Sequence, residues 1–261
     1  MEMPGTTRSR YEQEGWFRSP QLLDEELIGR VTDRIMALTA QDRPETVYEE
    51  GTRIVRAIHG CHLFDSTCHR LVRLPALLGL AQRLLGEPVY VYQFKVNMKQ
   101  PREGAAWPWH QDFSFWYRED GMAADRAVNI AVHLDDVHEH NGPLCVIPRS
   151  HRLGLLDAAL EQGGDWHRHV SADLQYTVPD EIAASLAQEL GTEYATGPRG
   201  SLCAFHPSIV HCSSDNRSAD RRALLLVTYN AVSNAPKRLT RPAFLVSRST
   251  TPLAPLDTDT V

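Results

Sequence analysis

The sequence predicts an α+β fold, with a core of about eight short strands closed as a barrel or double-sheet jelly roll and flanked by helices. Three observations carry this expectation. Val89 to Met98 is a run of β-branched and aromatic residues in which Gln93, Lys95 and Asn97 alternate with apolar neighbours. Leu27, Ile28, Val31, Ile35 and Leu38 recur at helical spacing instead. Turn signals then separate short apolar runs through the second half of the chain, which disfavours a βαβ array.

Taken in order, residues 1–10 read as a loose tail, and Gly15-Trp16-Phe17 before Pro20 as a short strand and a turn. Asp24 is placed to cap an amphipathic helix that ends before Pro44. Arg53 to Arg56 is the next strand. His59, His62 and His69 follow with Cys61 and Cys68; zinc sites want tighter pairs, so this cluster reads as structural. A second helix spans Pro75 to Leu85 and stops at Gly86, a C′ glycine. Strands are expected at Val89–Met98, Ala127–Leu134, Leu144–Ile147, Ser201–Phe205, Ile209–His211 and Arg222–Tyr229. The insertion 152–195 is the least regular stretch, with a helical patch from Pro179 to Leu190, and such insertions often serve as lids or substrate walls. Residues 233–261 read as an irregular tail wrapping the surface. No repeat or linker divides the chain, so 1–261 is expected to be one domain.

Composition narrows the class. The 261 residues are 42% hydrophobic, enough to bury one substantial core. A formal charge of −6 without a long basic run argues against a nucleic-acid partner. Five cysteines with no CxxC fit free thiols in a reducing compartment. The first residues lack the apolar stretch of a secretory signal, and no run approaches the length of a membrane span. The expectation is a soluble cytoplasmic protein. Nucleotide-binding glycine motifs are absent.

The chemistry concentrates between Trp107 and Trp116, around His110-Gln111-Asp112. In an extended segment residues two apart share a face, so His110 and Asp112 can reach one metal together. One more histidine would complete a 2-His-1-carboxylate triad, the set suited to non-haem Fe(II) and O2. His-x-Asp is common by chance among twelve histidines, but three tryptophans and two phenylalanines within the same stretch indicate a walled pocket. His138-x-His140 offers a rival pair, yet it sits among Asp135, Asp136 and Glu139 and reads as an exposed acidic loop.

The order His110-x-Asp112, then His211, then Arg222, resembles the phytanoyl-CoA dioxygenase family of Fe(II)/2-oxoglutarate oxygenases. The likeness is greatest to its ectoine hydroxylases and amino-acid hydroxylases. Trp109-His110-x-Asp112-Phe113, Trp116, Glu119-Asp120-Gly121-Met122, Arg126-Ala127 and Asn141-Gly142-Pro143-Leu144 follow the same pattern. The resemblance implies a double-stranded β-helix, cupin-like, with iron in its open end. It implies His110, Asp112 and His211 as iron ligands and Arg222 as the partner of the distal carboxylate of 2-oxoglutarate, with O2 as second cosubstrate. Ser213 would join that carboxylate, and Gln93, Asn97 and Asn129 would form a polar wall around the cosubstrate. Chlorinating members replace the carboxylate ligand with a small residue; Asp112 is intact, which favours hydroxylation.

For the substrate, Phe115, Trp116 and the insertion around Val170 are expected to line an apolar slot. Arg238 and Arg241 are candidates for a substrate carboxylate, as an arginine of that region is in the relatives. Arg149, Gln111 and Ser114 depart from the ectoine pattern. The reading is hydroxylation of a small free amino acid, leucine-like, in secondary metabolism such as antibiotic biosynthesis, with ectoine, a basic or a cyclic amino acid as alternatives. A non-catalytic cupin-type metal binder would keep the three ligands but would not need Arg222 or Ser213, and a silent scaffold would keep only the core.

Overall fold

Alternation along three long strands decides what faces the inside of this protein. A computed structural model describes residues 4–157, 163 and 165–257. Its first half runs α1 (Pro4–Glu14), β1 (Trp16–Leu22), α2 (Glu25–Thr39), β2 (Thr46–Tyr48), β3 (Val55–His59), α3 (Ser66–Leu71) and α4 (Leu80–Leu85). Then come β4 (Val89–Lys99), β5 (Trp107–His110), α5 (Asp112–Arg118), β6 (Ala127–His133) and β7 (Leu144–Val146). The remainder is α6 (Asp180–Leu190), β8 (Glu193–Ala195), β9 (Ser201–Phe205), β10 (His211–Ser213) and β11 (Arg222–Ala231). The strands form a seven-stranded sheet, β1-β9-β6-β11-β4-β3-β2, and a four-stranded sheet, β5-β10-β7-β8. All pairings are antiparallel. This is the expected double-stranded β-helix with flanking helices.

On the larger sheet, Val128, Ile130 and Val132 of β6 and Leu225, Val227 and Tyr229 of β11 point toward the helices. There they meet Ile28, Val31 and Ile35 of α2 and Ala81 of α4. Burying each large aliphatic side chain stabilises the fold by about 1.5–3 kcal/mol, so cutting Ile35 to alanine would open a costly cavity. Asp24 caps α2 as expected, accepting from the amide of Leu27 at 3.0 Å. The alternate residues, Leu224 and Leu226 of β11 and Ala131 of β6, face inward and pack with Leu144 and Val146 of the smaller sheet.

β4 changes phase partway. Its pairing with β11 skips Tyr92, since Thr228 lies opposite Gln93 and Tyr229 opposite Val91. This bulge turns Tyr92 and Gln93 to the inner side in succession. Beyond it, Phe94, Val96 and Met98 pack under the helices while Gln93, Lys95 and Asn97 line an internal cavity. The polar face of that strand is therefore an interior one.

Several expectations need correction. Of the tail expected at 1–10, residues 1–3 lie outside the described residues, and from Pro4 the chain is not loose but belongs to α1, anchored where Tyr11 is buried edge-on against Phe17. Its weakly apolar composition gave no periodicity to read. Pro20 does not end the first strand, because β1 is an edge strand that tolerates a missing donor. The strand expected at Arg53–Arg56 lies two residues later and carries His59. The helix at Pro75 begins as a π-turn, Pro75–Gly79, before α4, and Gly86 closes it at φ +74°. From Ala235 to Asp257 the chain forms no helix or strand, and it does more than wrap the surface: Arg241, Leu245 and Val246 are buried. No helix of the described residues is long and apolar enough to cross a membrane.

Burial also sets an acid limit. It pushes His59 down to about 3 and His62 and His133 down to about 4, while in the unfolded chain such rings titrate near ~6.5. Between those values the unfolded chain binds protons that the folded chain refuses, so stability is complete above the upper value and falls with pH below it. Each ring contributes up to about 1.4 kcal/mol per pH unit. The urea midpoint is expected to drop steadily between about pH 6.5 and pH 4; a flat midpoint would show these rings to be solvated.

Candidate active site

β10 lies antiparallel to β5 in a register that sets His211 opposite His110. Their ring centroids are 4.1 Å apart. Gln111 is extended (φ −123°, ψ 123°), so Asp112, the first residue of α5, returns to the face of His110. One donor atom from each of His110, Asp112 and His211 can be chosen so that all lie within 4.8 Å of one another, and all three residues are buried. Among the described residues no other group of three such side chains meets this geometry.

The donors are pre-oriented. Nδ1 of His110 lies 2.7 Å from the carbonyl of Pro108, and Nδ1 of His211 lies 2.9 Å from that of Ile209. Each contact fixes the Nδ1–H tautomer and leaves Nε2 bare for a metal. Burial, then neighbouring His211, pushes His110 down to about 3, and burial lowers His211. Burial alone would raise Asp112, but Lys95 and the two imidazoles hold it at about 2. Asn129 donates to one oxygen of Asp112 at 2.8 Å and Lys95 to the other at 3.2 Å. Two neutral imidazoles and one carboxylate, buried and aimed together, fit a divalent iron with open positions.

Arg222 starts β11 and reaches into the same cavity. Its Nε and Nη2 donate to the carbonyl of Gly142, a neutral partner. Burial, then the nearby Arg56, pushes it down to about 9, and burial with Arg222 and Arg56 pushes Lys99 down to about 6. A buried guanidinium whose protein partner is uncharged suits a carboxylate guest.

These side chains border an internal cavity that opens to solvent, with about 780 Å³ of non-atom space counted out through its mouth. Of the expected residues, Gln93, Asn97, Ser213, Arg222, Phe115, Trp116, Val170 and Arg241 line it with the triad. Asn129 does not: it stands behind Asp112, held by Thr228 at 2.6 Å, and orients that carboxylate. Arg238 is also outside. It is exposed, and its guanidinium donates to the carbonyls of Tyr117, Arg118 and Glu119 at the carboxyl end of α5. Arg241 is buried and paired with both oxygens of Asp120, which also accepts from Tyr92. His138 is held near Asp220 in an exposed turn.

Sequence reasoning missed Lys95, His59 and His169 as lining residues. Lys95 was legible from its position between Gln93 and Asn97. His59 was hidden by placing its strand two residues early, and His169 lies in a segment without periodicity. Gln111, the middle of the triplet, points away and donates to the carbonyls of Gly154 and Ser208 at 2.8 and 2.7 Å.

Residues 11–224 match the family described as phytanoyl-CoA dioxygenase (PhyH). The chain belongs to that family. It is 57% identical over 254 residues to an L-proline trans-4-hydroxylase of Streptomyces griseoviridis, covering 96% of this chain and 95% of that protein. It is 34% identical to the ectoine dioxygenase of Bordetella bronchiseptica, covering 86% of this chain and 74% of that protein. Its structure superimposes on that of EctD from S. alaskensis with 2-oxoglutarate and 5-hydroxyectoine, with a TM-score of 0.82 at 29% identity, covering 97% of this chain and 87% of that one. This phytanoyl-CoA dioxygenase family member is a non-haem iron, 2-oxoglutarate-dependent dioxygenase.

Two substitutions test the geometry. Asp112→Ala is expected to lower the iron bound per chain severalfold while leaving the far-ultraviolet circular dichroism unchanged, since the apolar core does not include that carboxylate. Full iron occupancy in the variant would remove Asp112 from the metal. Arg222→Leu deletes a charge-assisted hydrogen bond of about 1.5–3 kcal/mol, so the Kd for 2-oxoglutarate should rise at least about tenfold; an unchanged Kd would place the cosubstrate elsewhere.

Proposed function

We propose that this enzyme hydroxylates an unactivated ring carbon of a free cyclic imino acid, L-proline. The observation that carries the reading is the 57% identity, over nearly the whole of both chains, to an L-proline trans-4-hydroxylase. The cavity supports it: Phe115, Trp116, Val170, Leu174 and Leu245 form an apolar wall that matches an aliphatic ring, and Arg241 supplies a donor for a carboxylate. A leucine-like open chain, the expectation from sequence, suits the same wall less economically because it must also be ordered on binding. Ectoine is the second reading, favoured by the match to EctD with 5-hydroxyectoine. The differences from the ectoine pattern do not decide between them at the cavity. Arg149 bonds the carbonyl of Leu190, Ser114 bonds Asp157 and Gln111 faces away.

In this reading His110, Asp112 and His211 hold Fe(II), and Arg222 with Ser213 takes the distal carboxylate of 2-oxoglutarate. Gln93 and Asn97 border the cosubstrate. Bound iron, with 2-oxoglutarate and O2, supplies the oxidising power for replacing C–H by C–OH. The protein's own task is positional. Asn129 and Lys95 fix the Asp112 carboxylate, the Pro108 and Ile209 carbonyls fix the two rings, and the apolar wall excludes water around the reacting carbon. Arg241, neutralised by Asp120, keeps a directional donor without leaving a buried net charge.

Purified protein supplied with Fe(II), 2-oxoglutarate and O2 is expected to convert L-proline to a product heavier by one oxygen, with succinate formed in equal amount. Leucine, pipecolate and ectoine in the same mass-spectrometric screen define the alternatives, and oxygen gain on ectoine but not on proline would reverse the assignment. Arg241→Leu should raise the substrate KM about tenfold and leave the 2-oxoglutarate response unchanged. Arg238→Leu should alter neither, because its guanidinium is spent on backbone carbonyls.

A further inference from the structure

A free imino acid brings both a carboxylate and a cationic ring nitrogen into the cavity. Arg241 answers the first. For the second, the described lining residues offer one carboxylate, Asp112, and its oxygens are already engaged by Asn129 and Lys95. Four described lining side chains have a buried polar atom with no partner: Nε2 of His59, Nδ1 of His169, Nε1 of Trp107 and Oδ1 of Asn97. The indole N–H of Trp107 can only donate, and Asn97 stands on the strand face assigned to the cosubstrate, which leaves the two imidazoles for the substrate's nitrogen. His59 is 3% exposed and His169 8%.

The protonation of His169 follows from its neighbours. The side-chain amide of Gln175 donates to the carbonyl of Gly163 at 3.0 Å, which fixes its oxygen toward His169. Nε2 of His169 lies 3.2 Å from that oxygen and therefore carries the proton, leaving Nδ1 with a lone pair. Phe115 packs edge-on against this ring at 5.6 Å, setting its plane. His59 closes β3 opposite Lys95, and its ring packs on Phe244 at 6.4 Å. Burial first, then Lys95 and Arg241, pushes His59 down to about 3, and burial and Arg241 lower His169. Both rings are thus neutral and feel the same guanidinium; Nδ1 of His169 carries a lone pair, and the unpartnered Nε2 of His59 presents one in the Nδ1–H tautomer.

We infer that His59 and His169 receive the two N–H groups of the substrate's protonated ring nitrogen, one lone pair for each. This deepens the reading of the enzyme as an imino-acid hydroxylase and rests on it. Two acceptors satisfy a secondary ammonium, which has two N–H groups, and leave one donor of a primary ammonium without a partner. The pair selects cyclic imino acids over ordinary amino acids by the cost of that unmet donor.

Calorimetric titration of the anaerobic Fe(II)–2-oxoglutarate enzyme tests this with two ligands, L-proline and tetrahydrofuran-2-carboxylate, which keeps ring and carboxylate but has no N–H. Wild-type enzyme is expected to bind L-proline at least about tenfold more tightly than the oxygen analogue. His59→Leu and His169→Leu should each weaken L-proline about tenfold and leave the analogue unchanged, while His59→Gln, whose amide oxygen still accepts, restores part of the loss. The 2-oxoglutarate Kd should stay constant throughout, which separates loss of an acceptor from loss of the fold. Equal affinity of wild-type enzyme for both ligands overturns the inference even if a leucine variant fails to fold. So does discrimination that survives in both leucine variants. Wild-type enzyme that binds no L-proline overturns the proposed function, and the inference with it.

Discussion

The cavity depends on one register, the pairing that sets His211 of β10 against His110 of β5. Side chains alternate along a strand, so a slip of one residue would turn His211 outward and bring Cys212 to the inner face. The same short strand is clamped on its other side, where β7 holds Cys212 opposite Cys145 and Ser213 opposite Leu144. Pairing on both edges makes the slip expensive for three residues at once. Two nitrogens and a carboxylate can then converge without help from a metal, because backbone carbonyls and Asn129 have already chosen their orientations.

Charge is arranged around this centre as a set of local neutralisations. Lys95 offsets Asp112, Asp120 offsets Arg241 and Glu49 offsets Arg56. Arg222 breaks the pattern, with a carbonyl where the others have a carboxylate. Isolated buried charge is costly, and an anionic guest would supply the missing partner. The uneven distribution of counter-ions distinguishes Arg222 from Arg241, the two arginines that line the cavity.

Much of this was legible in the residues. The alternation of Gln93, Lys95 and Asn97 announced a polar strand face, and His110-x-Asp112 a shared metal face. What local pattern could not supply was distance across the chain. His211 and Arg222 became interpretable only through their order in a resembling family, since nothing about a lone histidine after Ile209-Val210 distinguishes it from a core residue. Arg238 and Arg241 looked equivalent because the irregular segment that carries them has no periodicity to assign faces. The structure separates them by what each finds nearby: a helix end for Arg238, a buried carboxylate for Arg241. His59 was obscured by an error of two residues in a strand boundary, the scale at which such boundaries are least certain.

Gln111 shows how the two halves of the cavity are joined. Its amide holds the carbonyl of Gly154 and accepts from the amide of Leu156, while Ser114 and Arg118 of the following helix hold Asp157. The stretch leading into the insertion that carries His169 and Val170 is therefore hung from the segment that presents Asp112, on its opposite face. The segment that carries His110, Asp112 and the following helix and the one that carries His169 and Val170 are separate stretches of chain, fastened by a few side chains. Such a construction lets the loop diverge among relatives while the metal shelf stays fixed, so that a change of diet need not disturb the chemistry.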